Sequence, residues 1–315
     1  MGKRTARKKP KAPKETPFSP AFLAAEAPAY YGAGQAPRLV FQDDEHGIWL
    51  YQGDSLLLLE QISAKYPEGL FDLIFADPPY FLSNGGITCH AGRMVSVNKG
   101  EWDKAPGPDE MHKFNTTWLA ACQKALKRDG TIFVSGTSHV IHSVGFAMQQ
   151  LGYKLLNDII WVKPNPPPNL SCRYFTHSTE TIIWAAKNKK SKHCFNYDLM
   201  RQMAGGKQMK SVWKDIRWDD GEVEALCKLL PCGRSRKAQG RRLRHKPIHL
   251  LQRLMLSGSR EGALVFDPFL GSGSTAVAAR MLNRRFVGCE LDRQYLSIAT
   301  KRLRSRRKPQ QLRLC

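Results

Sequence analysis

No apolar stretch of this 315-residue chain approaches the 18 residues that a membrane-crossing helix requires, so membrane association through helical spans is not expected. The opening "MGKRTARKKPKAPKE" and the following "PFSPAFLAAEAPAYYGAGQAP" lack the ordered charged, apolar and cleavage regions of a secretory signal, which points to a cytoplasmic protein. Close cysteine pairs are scarce too. The eight cysteines, at 89, 122, 172, 194, 227, 232, 289 and 315, are scattered, and only Cys227 and Cys232 are near neighbours. With His245 and His249 as distant partners they complete no metal set, and so large a chain needs no disulfide scaffold; reduced thiols are expected.

What the sequence lacks most is negative charge. Its 27 Asp and Glu face 49 Lys and Arg, a formal +22. The first fifteen residues carry seven basic groups and one acid, and residues 301–313 carry seven and none, leaving +9 of the +22 for the body. Between Glu224 and Glu261 there is no acid but ten Lys or Arg, most densely in "RSRKAQGRRLRHK" at 234–246. One basic run is ordinarily a solvated face; three point to a polyanionic partner.

Short apolar runs suited to buried strands occur at 47–51, 71–76, 130–136, 157–162, 180–186, 263–267 and 284–290. Helix-like stretches lie between several of them: "SLLLLEQISAK", "DEMHKFNTTWLAACQKALKR", "SHVIHSVGFAMQQL", "PIHLLQRLMLSG", "STAVAARMLN" and "RQYLSIATKRL". The alternation predicts an α/β protein, an open and mostly parallel sheet with helices on both faces. Two stretches break the pattern. "KPNPPPNLSCRYFTHS" at 163–178 is too rich in proline for a helix or central strand and is expected to be a rigid loop. Residues 188–243 have only short apolar pieces among polar and basic clusters and read as an insertion.

"ALVFDPFLGSGSTAVAARMLNRRFVGCELD" starts as a strand ending at Asp267, passes through Gly271, Ser272 and Gly273, opens a helix at Ser274 and Thr275, and reaches a second strand ending at Glu290. This is the order of a nucleotide-binding β-α-β unit, in which glycines let the backbone approach the ligand and the second acid accepts two ribose hydroxyls. The third glycine of the dinucleotide fingerprint and the Lys of a P-loop are both absent. Asp267 would repel a pyrophosphate but pair with an ammonium, which favours S-adenosylmethionine, a nucleoside bearing an amino acid. A tight turn without a ligand is the plainer alternative.

"ADPPY" ends another strand. Pro78 and Pro79 stiffen the backbone, so the Asp77 carboxylate and the Pro78 carbonyl form a fixed pair of acceptors for the two N–H groups of an exocyclic amine, while Tyr80 offers a ring for the base to stack on. An amine inside a duplex reaches such a pocket only if its base flips out. The plainer alternative makes Asp77 a turn cap and Tyr80 a packing ring. Arg173, Tyr174 and Phe175 in the proline-bounded loop are candidates for lining the pocket, with ordinary packing equally open for Phe175. His177 and Glu180 read as hydrogen-bonding groups of that loop rather than metal ligands.

"DPPY" at 77 followed by "DPFLGSGST" at 267 resembles the beta class of amino-group DNA methyltransferases, which modify adenine N6 or cytosine N4, over roughly 40–305. "ADPPYFLSNGG" and "NLSCRYFTHSTETIIWA" resemble in particular the adenine-N6 enzymes of restriction–modification systems. The resemblance implies a circularly permuted Rossmann-like methyltransferase fold with a seven- or eight-stranded sheet. It also implies catalytic Asp77, Pro78, Pro79 and Tyr80, a cofactor loop of Asp267, Phe269, Gly271, Ser272, Gly273, Ser274 and Thr275, Glu290 on the ribose, and Asp54 at the cofactor adenine, with Asp77 also bordering the cofactor. "RHKP" at 244–247 resembles an altered "HPTQKP", so no role is carried over to Lys246. The implied organisation is a basic tail at 1–35, a catalytic and cofactor-binding domain at 36–187 and 244–305, a target-recognition region at 188–243 and a basic tail at 306–315. DNA is the implied partner, with a cognate restriction endonuclease and a homodimer as further expectations. Cytosine N4 and RNA remain open, as does a non-catalytic nucleic-acid-binding protein.

Overall fold

The computed structural model describes residues 36–80, 107–166, 168–217 and 246–305, together with the strands at 87–90 and 93–96. The expected basic tails, Cys227, Cys232, His245 and the basic run at 234–245 lie outside the described residues.

All seven apolar runs form strands of one sheet: β2 Ile48–Gln52, β3 Phe71–Ala76, β6 Leu126–Gly136, β7 Lys154–Val162, β8 Thr179–Ala186, β10 Leu264–Asp267 and β11 Arg285–Glu290. Two edge strands without a strong apolar signature, β1 Arg38–Asp43 and β9 Val212–Trp213, bring this sheet to nine among the described residues. The order is β1-β2-β11-β10-β3-β6-β8-β7-β9, and a separate hairpin pairs β4 Ile87–His90 with β5 Arg93–Ser96. The centre, β2-β11-β10-β3-β6, is parallel throughout, while β8 runs antiparallel to both β6 and β7.

Residues alternate between the two faces of the central strands, as a pleat requires. Ile74 and Phe266 enter one core with Leu58, Leu59 and Ile62 of α1 (Ser55–Lys65), Trp118 and Leu119 of α2 (Pro108–Ala125), and Val144 and Met148 of α3 (Ile141–Gln150). Their neighbours Leu73, Phe75 and Val265 enter the other with Leu251 and Leu254 of α5 (Ile248–Gly258), Ala276 and Ala279 of α6 (Ser274–Met281), and Leu296 and Leu303 of α7 (Arg293–Arg304). Helix α2 stops at Ala125, before the expected Arg128, because Leu126 adopts extended geometry and pairs with Phe71. The described residues of the segment 163–178 are free of helix and strand, in keeping with its prolines.

Residues 188–217 are tied to the body. Short α4 (Tyr197–Met203) buries Met200, and Trp213 and Ile216 join the second core. Asn196 Nδ2 donates to the carbonyls of Leu256 (2.6 Å) and Ser259 (2.9 Å), and Trp161 Nε1 donates to Ile216 O at 3.2 Å.

Candidate active site

Parallel strands point their carboxyl ends the same way, so the loops after β2, β11, β10, β3 and β6 emerge along one edge. Five polar residues collect there from distant parts of the chain: Asp54, Glu290, Asp267, Asp77 and Ser135. Strands β3 and β10 are direct neighbours although nearly 190 positions separate them, and Val265 pairs with Leu73. The "DPPY" and glycine loops therefore open onto the same side. Ala76 pairs with Val134, which sets Asp77 level with Ser135; Gly136 pairs with Thr181, which brings Glu180 to the same edge.

The Asp77 carboxylate is held from both ends. Its Oδ1 accepts from Tyr80 Oη at 2.6 Å and Ser135 Oγ at 2.7 Å, and its Oδ2 from Lys246 Nζ at 2.7 Å. The Lys246 ammonium also reaches Glu180 Oε1 at 2.7 Å and Tyr80 Oη at 3.0 Å, and Lys163 stands 3.3 Å from Glu180 Oε2. Burial alone would lower the Lys246 pKa, but the Asp77 and Glu180 carboxylates outweigh it and hold the ammonium well above its usual range. Burial pushes the Glu180 carboxyl up, and Lys246 and Lys163 more than offset it, leaving it below its usual value. Burial and the two carboxylates raise Tyr80 well above 10.0, so it remains a phenol. The Lys246 side chain is 10% exposed and that of Asp77 27%, so the carboxylate has a side open to a ligand. A carboxylate has about four lone-pair sites. Oδ1 uses two and Oδ2 one, which leaves Oδ2 with an acceptor position to offer.

In the glycine loop, Asp267 is 1% exposed. Burial raises its carboxyl from 3.8 to about 7 against the opposing Thr275 hydroxyl and Phe269 N–H, with the nearby charges of Asp77 and Glu290 adding to the rise. Among the described residues no basic side chain pairs with it, so a buried carboxylate stands ready for a cation. Glu290 accepts from the N–H of Gly271 at 2.7 Å through Oε2 and from that of Asp292 at 2.8 Å through Oε1; burial, opposed by backbone N–H groups, raises its pKa. Gly271 has φ +53°, and a Cβ there would meet nothing nearer than Phe269 O at 3.9 Å, an open backbone surface. This donor and acceptor set fits a nucleoside carrying an ammonium: Asp267 for the cation, Glu290 for hydroxyls, Gly271 for close approach.

Not every predicted site residue faces that space. Ser272 O and Oγ and Ser274 Oγ accept from Arg302 Nη1 of α7, at 2.8, 3.3 and 3.0 Å, so both hydroxyls turn into the loop's support. Thr275 bonds Asp267. Phe269 packs edge-on against Trp118, with centroids 5.4 Å apart. Asp54 caps α1 by accepting from Leu56 N at 2.8 Å, next to Gly53, whose N–H donates to Glu290 O. Tyr80 is half-buried, its hydroxyl turned inward to Asp77 and Glu180. Sequence reasoning missed Ser135 and Lys246 and gave Glu180 only a general hydrogen-bonding role. Faint signals existed: Glu180 is the lone acid between Asp158 and Asp198, and Lys246 belongs to "RHKP".

Comparison with known proteins agrees with this geometry. The N6/N4 methyltransferase family model, described as DNA methylase, matches residues 71–301. Type II methyltransferase M2.DpnII of Streptococcus pneumoniae is 48% identical over 259 residues, 80% of this chain and 91% of that protein. Among solved structures, the cytosine-N4-specific PvuII DNA methyltransferase superposes with a TM-score of 0.61 at 22% identity over 83% of this chain and 88% of that one. The M1.HpyAVI–SAM complex gives 0.56 at 20% identity over 81% and 99%. At such identities the structural likeness speaks for the fold alone, the permuted Rossmann-like arrangement.

Proposed function

The chain belongs to the N6/N4 DNA methylase family, and from that premise we propose that it transfers a methyl group from S-adenosylmethionine to N6 of an adenine flipped out of DNA. The observation that carries this reading is the juxtaposition of Asp77 and Asp267 at the ends of adjacent parallel strands. One carboxylate has an acceptor site to spare for an amine, and the other is buried with no cation beside it among the described residues. The M1.HpyAVI complex with SAM supports the cofactor, and the aspartate heading "DPPY", where cytosine-N4 enzymes more often carry serine, supports adenine.

Asp267, Phe269, Gly271, Gly273, Thr275, Glu290 and Asp54 would hold the cofactor, Asp77 bordering it, with Ser272 and Ser274 keeping the loop in shape through Arg302. When bound, the cofactor supplies an electrophilic methyl on a sulfonium. The protein's task is then to orient a poor nucleophile. The amine's lone pair is delocalised into the ring; two acceptors, Asp77 Oδ2 and the Pro78 carbonyl, draw its N–H bonds into a more tetrahedral arrangement and aim the lone pair outward. Pro79 fixes that carbonyl, and the Tyr80 ring offers a stacking face while its hydroxyl steadies Asp77. Lys246 keeps its own proton and so is not the base. The bond from nitrogen to the methyl carbon would form as the sulfonium–methyl bond breaks, its electron pair staying on sulfur in the departing thioether, S-adenosylhomocysteine, and the surplus amine proton would leave to water or to a carboxylate. The Type II relatives support a cognate restriction endonuclease as cellular partner, and the class supports a homodimer acting on DNA in the cytoplasm, with residues 188–243 reading the target.

Labelled S-adenosylmethionine incubated with mixed duplex and single-stranded DNA, followed by nucleoside analysis, tests the reading. Label in N6-methyladenine is expected, with Asp77→Ala reducing the single-turnover rate by roughly 10²–10³-fold or more. Label in N4-methylcytosine would replace the target base, and label in neither would remove the function.

A further inference from the structure

We propose that the loop 168–178 is a finger that enters the DNA duplex, and that Phe175 fills the gap left in the base stack when the target base leaves it. This rests on the base-flipping reading above and adds to it the group that keeps the opened duplex from closing.

Phe175 is 95% exposed and Tyr174 60%, and with Leu170 they place three of the exposed large apolar side chains within six residues. At that exposure Phe175 does not pack into the described body of the chain, the alternative that the sequence left open. Single apolar residues on a surface need no explanation, but an aromatic pair at the tip of a braced loop does. The bracing is specific. Asn169 Nδ2 donates to Tyr174 O at 2.5 Å, and its Oδ1 accepts from the N–H and hydroxyl of Ser171 at 3.1 and 2.8 Å. Cys172 sits at φ 53°, and prolines stiffen the approach. The Tyr174 ring lies 5.5 Å from that of His177, which lies 6.1 Å from that of His139 just beyond β6. Such a turn holds its aromatic tip outward at little further cost in entropy on binding.

The finger is rooted in the catalytic cluster. The Lys163 N–H donates to Ser178 O at 2.8 Å, and Lys163 and Glu180, flanking the loop, meet side chain to side chain beside Lys246 and Asp77. Phe175 stands five positions before Glu180, which keeps their backbones within about 17 Å of each other. The stretch from Lys163 to Thr179 contains no acid, and Arg173 is exposed beside the tip, a charge balance suited to phosphates on either side of an inserted ring. Apolar wedges inserted between base steps are a known way to hold an unstacked duplex.

The test compares Phe175→Ala and Phe175→Trp with the wild type on three substrates of the same sequence: a duplex, a single strand, and a duplex with an abasic site opposite the target adenine. For Phe175→Ala, kcat/KM on the normal duplex should fall roughly 10- to 100-fold, while the single strand stays within about twofold and the abasic duplex recovers most of the loss. Phe175→Trp should retain duplex activity. Equal loss on all three substrates, or no loss on the duplex, overturns the proposal, as does a change in oligomeric mass with Phe175→Ala and no duplex-specific defect. A wild type active only on single strands also overturns it, because there is then no gap to fill, while the methyl-transfer reading survives. A wild type inactive on every DNA removes that reading itself.

Discussion

Gly273 should tolerate no side chain, and the reason lies in a helix that follows it closely in space. It caps α6 with φ +80°, and a Cβ there would stand 2.7 Å from Ala299 Cβ and 3.0 Å from Ala299 Cα on α7. A non-glycine residue in the left-handed region costs about 1–2 kcal/mol, and forcing a methyl into a filled contact costs about 1–3 kcal/mol more. Gly273→Ala should therefore lose roughly 2–5 kcal/mol of stability. Gly271→Ala carries only the backbone cost, about 1–2 kcal/mol, because its Cβ meets open space. That space is where a cofactor would approach, so Gly271→Ala should weaken cofactor binding more than it weakens the fold. Urea unfolding of the single variants, Ala299→Gly and the Gly273→Ala/Ala299→Gly double variant measures the contact itself. Ala299→Gly alone should cost about 1 kcal/mol as a helix-interior glycine. The double variant should be more stable than the sum of the singles by about 1–3 kcal/mol. Additivity to within about 0.5 kcal/mol would refute the argument from close approach.

The remaining predictions concern the two carboxylates and their neighbours. Lys246→Met should destabilise by about 3 kcal/mol, the low end for breaking a buried pair because Lys163 still faces Glu180. It should also lower the single-turnover rate roughly 100-fold, with equilibrium cofactor binding little changed; a rate near wild type would detach Lys246 from the chemistry. Asp77→Asn should keep cofactor binding and lose methyl transfer, read by calorimetry beside single-turnover assay, and loss of binding instead would move Asp77 to a cofactor role. In the cofactor-free protein Asp267 is raised from 3.8 to about 7, so the stability it contributes is complete below 3.8 and is lost as pH rises through about 7. Asp267→Asn should accordingly gain on the wild type between pH 5 and pH 8.5 by about 3 kcal/mol, the two units from 5 to about 7 at about 1.4 kcal/mol each. Unfolding midpoints at the two pH values check this. Cofactor affinity should rise as Asp267 ionises through about 7 and fall again as an α-amino group loses its proton near about 8, and the rising limb should vanish in Asp267→Asn.

Local chemistry was legible in the sequence because short-range rules govern it. Apolar runs of four to eight residues bounded by turns marked the seven inner strands, and "SLLLLEQISAK" coincides with α1. Asp77, Asp267 and Glu290 stood out because each ends such a run, and Gly271 and Gly273 because a strand-to-helix turn with close backbone approach needs them. The edge strands β1 and β9 stayed hidden because they are short or half-exposed, and pairing partners rather than composition make them strands. Tertiary structure decided that Ser135 and Lys246 meet Asp77 and that Glu180 joins them through Lys246, since sheet register and the return of the chain at 246 are set by long-range pairing of which the sequence carries only faint signs. It likewise turned Ser272 and Ser274 to Arg302, because a hydroxyl takes whichever donor the packed helix brings within reach. The residue types and their order along the chain state which chemistry is available. Which carboxylate keeps a free lone pair and which is left without a cation depends on what burial places beside it.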